Sequence, residues 1–180
     1  MLLKQLTKEE FASLKTKWTK LIKGNPHPVF EAEYRQIFNL IESTGCWADI
    51  KNCMNKPIFN CVIDSSGEEW AIVEIVQSKN GSSVWVKMLN LYLSPKIEAT
   101  LDNETNTKKR LEVFRAALVG IFELTKWIKK ADTVKVFGRT DALVTFLRGM
   151  HDSFSVLTTL GTIKGIDVSV EGRWLVFRTS

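Results

Sequence analysis

Three consecutive cations, Lys108, Lys109 and Arg110, begin a long predicted helix that runs from about Lys108 to Lys130. The first backbone N–H groups of a helix have no intrahelical partner, so together with nearby cations they can receive an anion. A predicted strand comes shortly before this helix. It should end at Pro95, because proline has no N–H to donate to a strand ladder. The pattern therefore predicts a helix start that can receive an anion, close to the end of a strand.

That strand, residues 84–93, carries two rows of mostly apolar side chains. Strict alternation predicts that one row consists of Val84, Val86, Met88, Asn90 and Tyr92, with the residues between them facing the other way. Two apolar rows favour an interior strand that is covered on both faces. We therefore expect this strand at the centre of the sheet.

The sequence lacks the residue patterns of several common catalytic and metal sites. Its cysteines, Cys46, Cys53 and Cys61, match no zinc or iron–sulfur spacing, and the histidines His27 and His151 lie far from them. No Ser-His-Asp, Cys-His, Walker or paired-carboxylate arrangement is present. We therefore predict no metal site, and expect free, partly buried thiols in a reducing compartment.

Length and charge set broad limits. The length of 180 residues predicts one domain, 1–180. A composition of 44% hydrophobic and 25% charged residues is ordinary for a globular protein. The net charge of +5 is compatible with nucleic acid or an acidic partner, although many proteins carry such an excess without either. No apolar run is long enough to span a membrane, and the N-terminal MLLKQLTKEE is charged too early for a secretory signal. These features predict a cytosolic protein, or one packaged in an assembly made in a cytosol.

Periodicity predicts helices on either side of a β-meander. Thr7 to Glu10 fits a capping box for a first helix, and Pro28 suits the first position of a second. Asn80-Gly81 is a hairpin signal within the meander. The segment 154–163 is ambiguous, with strand favoured. A short helix through Leu143, Phe146 and Leu147 is predicted after the strand Thr133–Phe137. The predicted strands are Leu2–Leu6, Ile58–Ile63, Trp70–Val76, the strand 84–93, Thr133–Phe137, and a closing hairpin of Ile166–Val170 and Trp174–Phe177.

The order of these elements resembles the GNAT (Gcn5-related N-acetyltransferase) superfamily across nearly the whole chain. Two stretches carry the resemblance: Leu89-Asn90-Leu91-Tyr92-Leu93-Ser94-Pro95, which runs into the long helix, and VKVFGRTDALVTFLRGM, which follows it. The resemblance implies an α+β fold with a mixed, mostly antiparallel sheet of about six or seven strands flanked by about four helices. The second stretch, with Trp174-Leu175-Val176-Phe177, looks like the GNAT-like proteins of tailed bacteriophages, some of which are virion components.

The resemblance also implies where a cofactor would lie. In the superfamily, the strands that match Trp85–Leu93 and Thr133–Phe137 splay apart to admit the pantetheine arm of acetyl-CoA, and backbone N–H groups before the central helix hold the pyrophosphate. The family loop there carries two glycines, whereas 102–110 has none, and its Asp102 and Glu104 would repel a pyrophosphate. By this resemblance the cofactor-binding residues would be Leu91, Leu93, Thr105, Asn106, Thr107, Lys108 and Lys109.

The resemblance assigns catalytic residues to this chain less readily than cofactor-binding ones. Family members often protonate the departing thiolate with a tyrosine of the short C-terminal helix. This chain has only Tyr34 and Tyr92, neither of them in that helix, where Phe146 and His151 stand instead. Glu74, on the strand before the 84–93 strand, is a candidate base if it points into the cleft. The alternative is that Glu74 faces solvent from an amphipathic strand.

Two functions follow from the resemblance and from the departures. The first is a phage-encoded GNAT-fold protein without CoA catalysis that acts as a structural or accessory virion component. It would be found in the host cytoplasm or in the particle, and its partners would be other phage proteins or copies of itself. The alternative is an acetyl-CoA-dependent N-acetyltransferase with an atypical pyrophosphate loop. A third class, an inhibitor or nucleic-acid binder, would use the lysines of the first helix, but Trp18 there falls on the apolar stripe.

Overall fold

A seven-stranded sheet forms the centre of the computed structural model, which describes residues 1–24, 28–98, 104–128, 131–159 and 165–179. The strands are β1 (Leu2–Gln5), β2 (Pro57–Ile63), β3 (Glu69–Asn80), β4 (Ser83–Leu93), β5 (Ala131–Phe137), β6 (Ile166–Glu171) and β7 (Trp174–Thr179). Their order is β1-β2-β3-β4-β5-β7-β6, and every neighbouring pair is antiparallel except β4 and β5. The predicted α+β class with a mostly antiparallel sheet is confirmed.

Helices cover both faces of this sheet. They are α1 (Lys8–Lys23), α2 (Pro28–Thr44), the single turn α3 (Pro95–Glu98), α4 (Glu104–Thr125) and α5 (Asp141–Thr159), with a 3₁₀ turn at Ile50–Asn52. The apolar residues of α1 and α2 pack on one face, and those of α4 and α5 pack on the other. We name these the α1/α2 face and the α4/α5 face.

The start of α1 is the predicted capping box. The Glu10 backbone N–H donates to Thr7 Oγ1 at 3.2 Å, and the Thr7 N–H donates to Glu10 Oε2 at 3.0 Å. Further along the helix, the apolar stripe buries Trp18 completely, with its ring edge-on to Tyr34 of α2. Trp18 therefore belongs to the core, as the stripe predicted, and cannot stack on a nucleic-acid base.

On the other face, α4 packs closely against the sheet. Val113, Ala117 and Ile121 recur every four residues along it and are fully buried. Gly120 meets β1, where an added Cβ would lie 2.2 Å from the Cβ of Leu3. Because only glycine has no Cβ, this residue permits the close approach of α4 and β1.

As far as the structure describes it, segment 154–163 is helical, which corrects the prediction of a strand. α5 continues through Thr159, and positions 160–163 lie outside the described residues. Phe146 and Phe154, eight residues apart on α5, pack edge-on against rings of α4 and β7. Two turns of helix separate these rings and place both on the side of α5 that packs against the core, so the apolar stripe of the helix continues past its predicted end.

Cys46 and Cys53 form a disulfide, which corrects the prediction of three free thiols. The chain folds back between the end of α2 and the 3₁₀ turn, so that their Cα atoms lie 5.9 Å apart, a separation that a disulfide spans. The remaining thiol, Cys61, is buried, and burial raises its pKa to about 12. Cys61 therefore stays protonated and unreactive at neutral pH.

The side-chain amide of Asn60 on β2 is buried and has no hydrogen-bond partner among the described residues. The residue is 1% exposed, and both the nitrogen and the oxygen of its side-chain amide are unpaired. Leaving such a group unpaired costs about 1–3 kcal/mol. We therefore expect Asn60→Val to raise the free energy of unfolding by about 1–2 kcal/mol in urea denaturation. Asn60→Asp, which buries a charge at the same place, should lower it; a loss of stability in Asn60→Val would contradict the interpretation.

Two classes of feature are absent from the described ranges. No helix there has the length and apolarity needed to cross a membrane. Those ranges also contain no cluster of three or more His, Cys, Asp or Glu residues that could hold a metal ion.

Candidate active site

A β-bulge interrupts β4 at Leu89. Glu74 and Ile75 are consecutive on β3, but their partners on β4, Asn90 and Met88, are separated by Leu89. The extra residue has no partner on β3. Since side chains alternate along a strand, one extra residue exchanges the two rows from that point onward.

The bulge moves the polar residues of β4 to a different face from the one predicted. Val86 and Met88, before the bulge, lie in the core of the α4/α5 face, and Leu91 and Leu93, after the bulge, are partly buried and pack against the same core. Tyr92 instead packs with the core of the α1/α2 face. The prediction of a single row that contains both Met88 and Tyr92 is therefore wrong.

Beyond the bulge, β4 and β5 separate. Their parallel pairing runs from Val84 to Met88 and ends opposite Val136 of β5. From Leu89 to Leu93, no strand in the described parts of the chain pairs with this edge of β4. The gap is a cleft of about 310 Å³, whose lining includes apolar Leu91, Leu93, Phe114 and Leu143 and polar Asn90, Tyr92 and Arg139. It is an apolar slot with a free strand edge on one side.

Glu74 is buried next to this cleft. Its exposure is 7%, so the alternative that it faces solvent is wrong. Tyr92 Oη donates a hydrogen bond to Glu74 Oε2 at 3.1 Å, and Asn90 Nδ2 donates to the same oxygen. Both donors line the cleft. The carboxylate is thus held immediately behind the cleft wall by two side chains of β4.

Arg139, which follows β5, sets the direction of these hydrogen bonds. Its Nη1 donates to Asn90 Oδ1 at 2.9 Å. A guanidinium can only donate, so the Asn90 oxygen accepts and the Asn90 amide nitrogen is left to donate to Glu74. The result is a chain from Arg139 through Asn90 to Glu74, which joins the two separated strands across the cleft.

Both tyrosines of the protein keep their protons at neutral pH. Burial, and then the neighbouring Glu74 carboxylate, raises the pKa of Tyr92 above its ordinary range. Burial likewise raises the pKa of Tyr34, whose hydroxyl donates to the Leu93 carbonyl. Tyr92 is therefore a hydrogen-bond donor to Glu74, and not an anion.

These raised pKa values predict a loss of stability at alkaline pH. The tyrosines of the unfolded chain release their protons at about pH 10, whereas those of the folded protein hold theirs to higher pH. Above that pH the unfolded state binds fewer protons, so the free energy of unfolding falls as pH rises, by up to about 1.4 kcal/mol per pH unit for Tyr34. Urea denaturation between about pH 9 and 11 measures the slope. Tyr34→Phe should flatten it, and equal slopes in the two proteins would contradict the assignment.

The residues expected to hold a pyrophosphate lie in the first turns of α4. Thr105–Lys109 are helical, because α4 spans Glu104–Thr125 and begins earlier than the predicted Lys108. Asp102 lies outside the described residues. None of the five residues lines the cleft.

The two lysines at this end of α4 already have partners. Lys108 Nζ lies 2.7 Å from a carboxylate oxygen of Glu104. Lys109 Nζ lies 3.4 Å from a carboxylate oxygen of Glu112 and 4.4 Å from the centre of the Trp70 ring. An anion at this position would therefore compete with carboxylates for both ammonium groups.

Known structures share this architecture. No protein-family model matches the sequence, and no curated protein sequence matches it either. A solved structure of histone acetyltransferase HPA2 and related acetyltransferase from Corynebacterium glutamicum matches with a TM-score of 0.50, over 99% of this chain and 96% of that one, at 10% identity. The chain has a GNAT-like fold.

Two other structures with the GNAT fold match less well. One is a chimeric spermidine N-acetyltransferase SpeG from Vibrio cholerae and hSSAT, with a TM-score of 0.41 and 12% identity over 99% of this chain and 93% of that one. The other is the NatC complex bound to Gag peptide and CoA, with a TM-score of 0.35 and 11% identity over 99% of this chain and 96% of that one. At such identities the likeness concerns the fold alone.

Within this GNAT-like fold, the structure brings together only part of the predicted site. Leu91 and Leu93 line the cleft and Glu74 lies behind it, whereas Thr105–Lys109 lie outside its walls. Neither Asn90 nor Arg139, which together hold the Glu74 carboxylate, was predicted to belong to the site. Asn90 gave a signal, because it is a polar residue in an apolar strand, but the unbroken alternation placed it in the wrong row.

Proposed function

We propose that the protein is an acyltransferase that transfers the acetyl group of acetyl-CoA to an amine. One observation carries the proposal: the bulge opens a cleft between β4 and β5 directly beside a buried, hydrogen-bonded carboxylate. A slot with a free strand edge suits an extended chain of amides, and a carboxylate next to it suits the removal of a proton from an amine. Two strands paired to their ends would leave room for neither.

The cleft fits the pantetheine arm of the donor in shape and in chemistry. The free edge of β4 from Leu89 to Leu93 can pair with the amides of the arm, as it would with another strand. Apolar Leu91, Val136 and Leu143 line the slot and exclude water from it. Acetyl-CoA, when bound, supplies an acetyl group that is already activated as a thioester.

Glu74 is the proposed base, and Tyr92 connects it to the cleft. The Tyr92 hydroxyl already donates to Glu74 Oε2 at 3.1 Å. When the acceptor, as an ammonium ion, gives a proton to Tyr92 Oη, the tyrosine passes its own proton to Glu74 Oε2, which leaves a neutral phenol, a neutral carboxylic acid and a neutral amine. The two transfers are coupled because the raised pKa of Tyr92 disfavours a free tyrosinate. The amine would then form the C–N bond as the C–S bond breaks, and the proton that its nitrogen loses would go to the thiolate of CoA. Asn90 and Arg139 hold the carboxylate in position.

The start of α4 is a poorer match for the pyrophosphate of the donor. Residues 104–110 contain no glycine to let the backbone approach a phosphate, and Glu104 repels one. Exposed ion pairs such as Lys108–Glu104, however, stabilise by less than about 1 kcal/mol. A phosphate can therefore displace the carboxylates from Lys108 and Lys109. We expect donor binding of moderate strength that depends on these two lysines.

Isothermal titration with acetyl-CoA tests the donor site. We expect a Kd of about 1–100 µM, weakened about tenfold or more by Lys108→Glu combined with Lys109→Glu. Lys20→Glu combined with Lys126→Glu is the matched control, because it makes the same charge change at exposed positions away from this end of α4. Release of free thiol on addition of a panel of primary amines then measures transfer. The absence of binding at about 1 mM would contradict the proposal.

The start of α4, which has no glycine and carries Glu104, is also the observation that favours the other hypothesis, a GNAT-fold protein without CoA catalysis. Its phage version, a structural or accessory virion component, stays a prediction. Mass spectrometry of purified particles tests that version, and absence of the protein from the particle would contradict it. Failure of acetyl-CoA to bind, with the fold intact, would favour the inactive scaffold over the enzyme.

A further inference from the structure

A second cavity lies at the opposite end of β4 from the cleft. Its volume of about 580 Å³ is larger than that of the cleft and within the range of small-molecule sites. The β3–β4 hairpin at 81–83, the loop residues Lys51 and Met54, and Trp127 after α4 surround it. Val84 at this cavity and Leu91 at the cleft are seven residues apart on one strand, which is roughly 23 Å. The proposed transfer reaction uses none of these residues.

The frame of this second cavity is rigid. Gln77 of β3 is 1% exposed, and its side-chain nitrogen donates to the carbonyl of Ile50. The Asn55 backbone N–H donates to the Gln77 carbonyl at 2.8 Å. The Cys46–Cys53 disulfide ties the same loop to the end of α2. A loop held at three points presents its side chains in fixed positions before any ligand arrives, which lowers the entropy that binding would lose.

Two kinds of group point to the chemistry of a ligand. Trp127 is 71% exposed, the most exposed of the large apolar side chains in the described residues, and no ring or cation there packs on its indole. Lys51 and Lys79 are exposed, and neither has a carboxylate partner in the described ranges. A solvent-exposed indole gains by stacking on a flat ring, and two free ammonium groups attract an anion.

We propose that this cavity binds a small anion that carries a flat aromatic ring, of the class represented by a nucleoside monophosphate. The ring stacks on Trp127, and the phosphate is held by Lys51 and Lys79. The hairpin backbone at 81–83 closes the third side. Neither half of such a ligand suffices: the ring alone leaves the charges unmatched, and phosphate alone leaves the indole in water.

Fluorescence titration with AMP tests this second site, with adenosine and inorganic phosphate as the two half-ligands. We expect AMP to quench the protein with a Kd below about 1 mM, and each half-ligand to bind at least about tenfold more weakly. Trp127→Phe should remove the quenching, although five other tryptophans remain. No quenching by AMP at about 10 mM, or unchanged quenching in Trp127→Phe, would overturn the proposal.

A matched pair of double variants tests the charge. Lys51→Glu with Lys79→Glu should weaken AMP binding about tenfold or more at fixed ionic strength, whereas Lys20→Glu with Lys23→Glu, the same charge change on α1, should not. Equal weakening in both pairs would show binding through overall charge and would overturn the site. Because acetyl-CoA also carries an adenine nucleotide, the AMP titration is repeated with Leu143→Trp, which fills the cleft. Unchanged AMP affinity in Leu143→Trp supports a site separate from the cleft. Loss of AMP affinity in this variant would place AMP in the cleft and would contradict the proposed second site.

Discussion

Glu74→Gln is expected to lower kcat for acetyl transfer by about 100- to 10,000-fold, the usual contribution of a positioned base. The amide occupies the same space and still accepts a hydrogen bond from Tyr92, but it cannot take up a proton. The affinity for acetyl-CoA should change less than about threefold, because Glu74 lies behind the cleft wall and not in it. Steady-state thiol release measures kcat, and calorimetry measures the affinity.

Glu69→Gln is the matched control for this substitution. Glu69 is on the same strand, β3, and pairs with Lys17 of α1 away from the cleft. We expect it to keep nearly full activity. Tyr92→Phe should lose activity as well, since it removes the hydroxyl that links the cleft to Glu74. If Glu74→Gln kept as much activity as Glu69→Gln, Glu74 would not be the base, even with donor binding intact.

Leu143→Trp is expected to weaken acetyl-CoA binding by about 100-fold or more. Leu143 projects from the first turn of α5 into the lining of the cleft, which holds only about 310 Å³. A larger ring there fills the slot that the pantetheine arm needs, and overpacking of a preformed site is not easily relieved. Isothermal titration with acetyl-CoA measures the change in Kd.

Leu111→Trp controls for the cost of adding an indole to a helix. Leu111 is on α4, 47% exposed, and does not line the cleft. Both variants should retain the far-ultraviolet circular dichroism of the parent, and only Leu143→Trp should lose affinity. Unchanged acetyl-CoA affinity in Leu143→Trp, at unchanged fold, would mean that the donor lies elsewhere.

Local patterns were sufficient to predict most of the fold. The Thr7–Glu10 capping box, the Asn80-Gly81 turn and the burial of Trp18 each depend on residues close together in sequence, so their spacing reports on them directly. The order of helices and strands follows from a run of such local signals. Together they predicted the α+β class and the mostly antiparallel sheet.

The candidate site was harder to predict because it depends on one irregular residue. Nothing in the composition of β4 marks Leu89 as a bulge, yet the bulge decides that Asn90 and Tyr92 share a face with Glu74. The contact between Arg139 and Asn90 also joins residues that are 49 positions apart. Such a contact depends on how β4 and β5 separate, which no spacing along the chain reports.

Hydrogen exchange along β4 tests most directly whether the donor lies between β4 and β5. With saturating acetyl-CoA, we predict slower amide exchange in peptides that cover 89–93, because the free edge of β4 then pairs with the donor, and no change in peptides that cover the hairpin at 80–84. Unchanged exchange over 89–93, under conditions where calorimetry shows acetyl-CoA bound, would contradict the account.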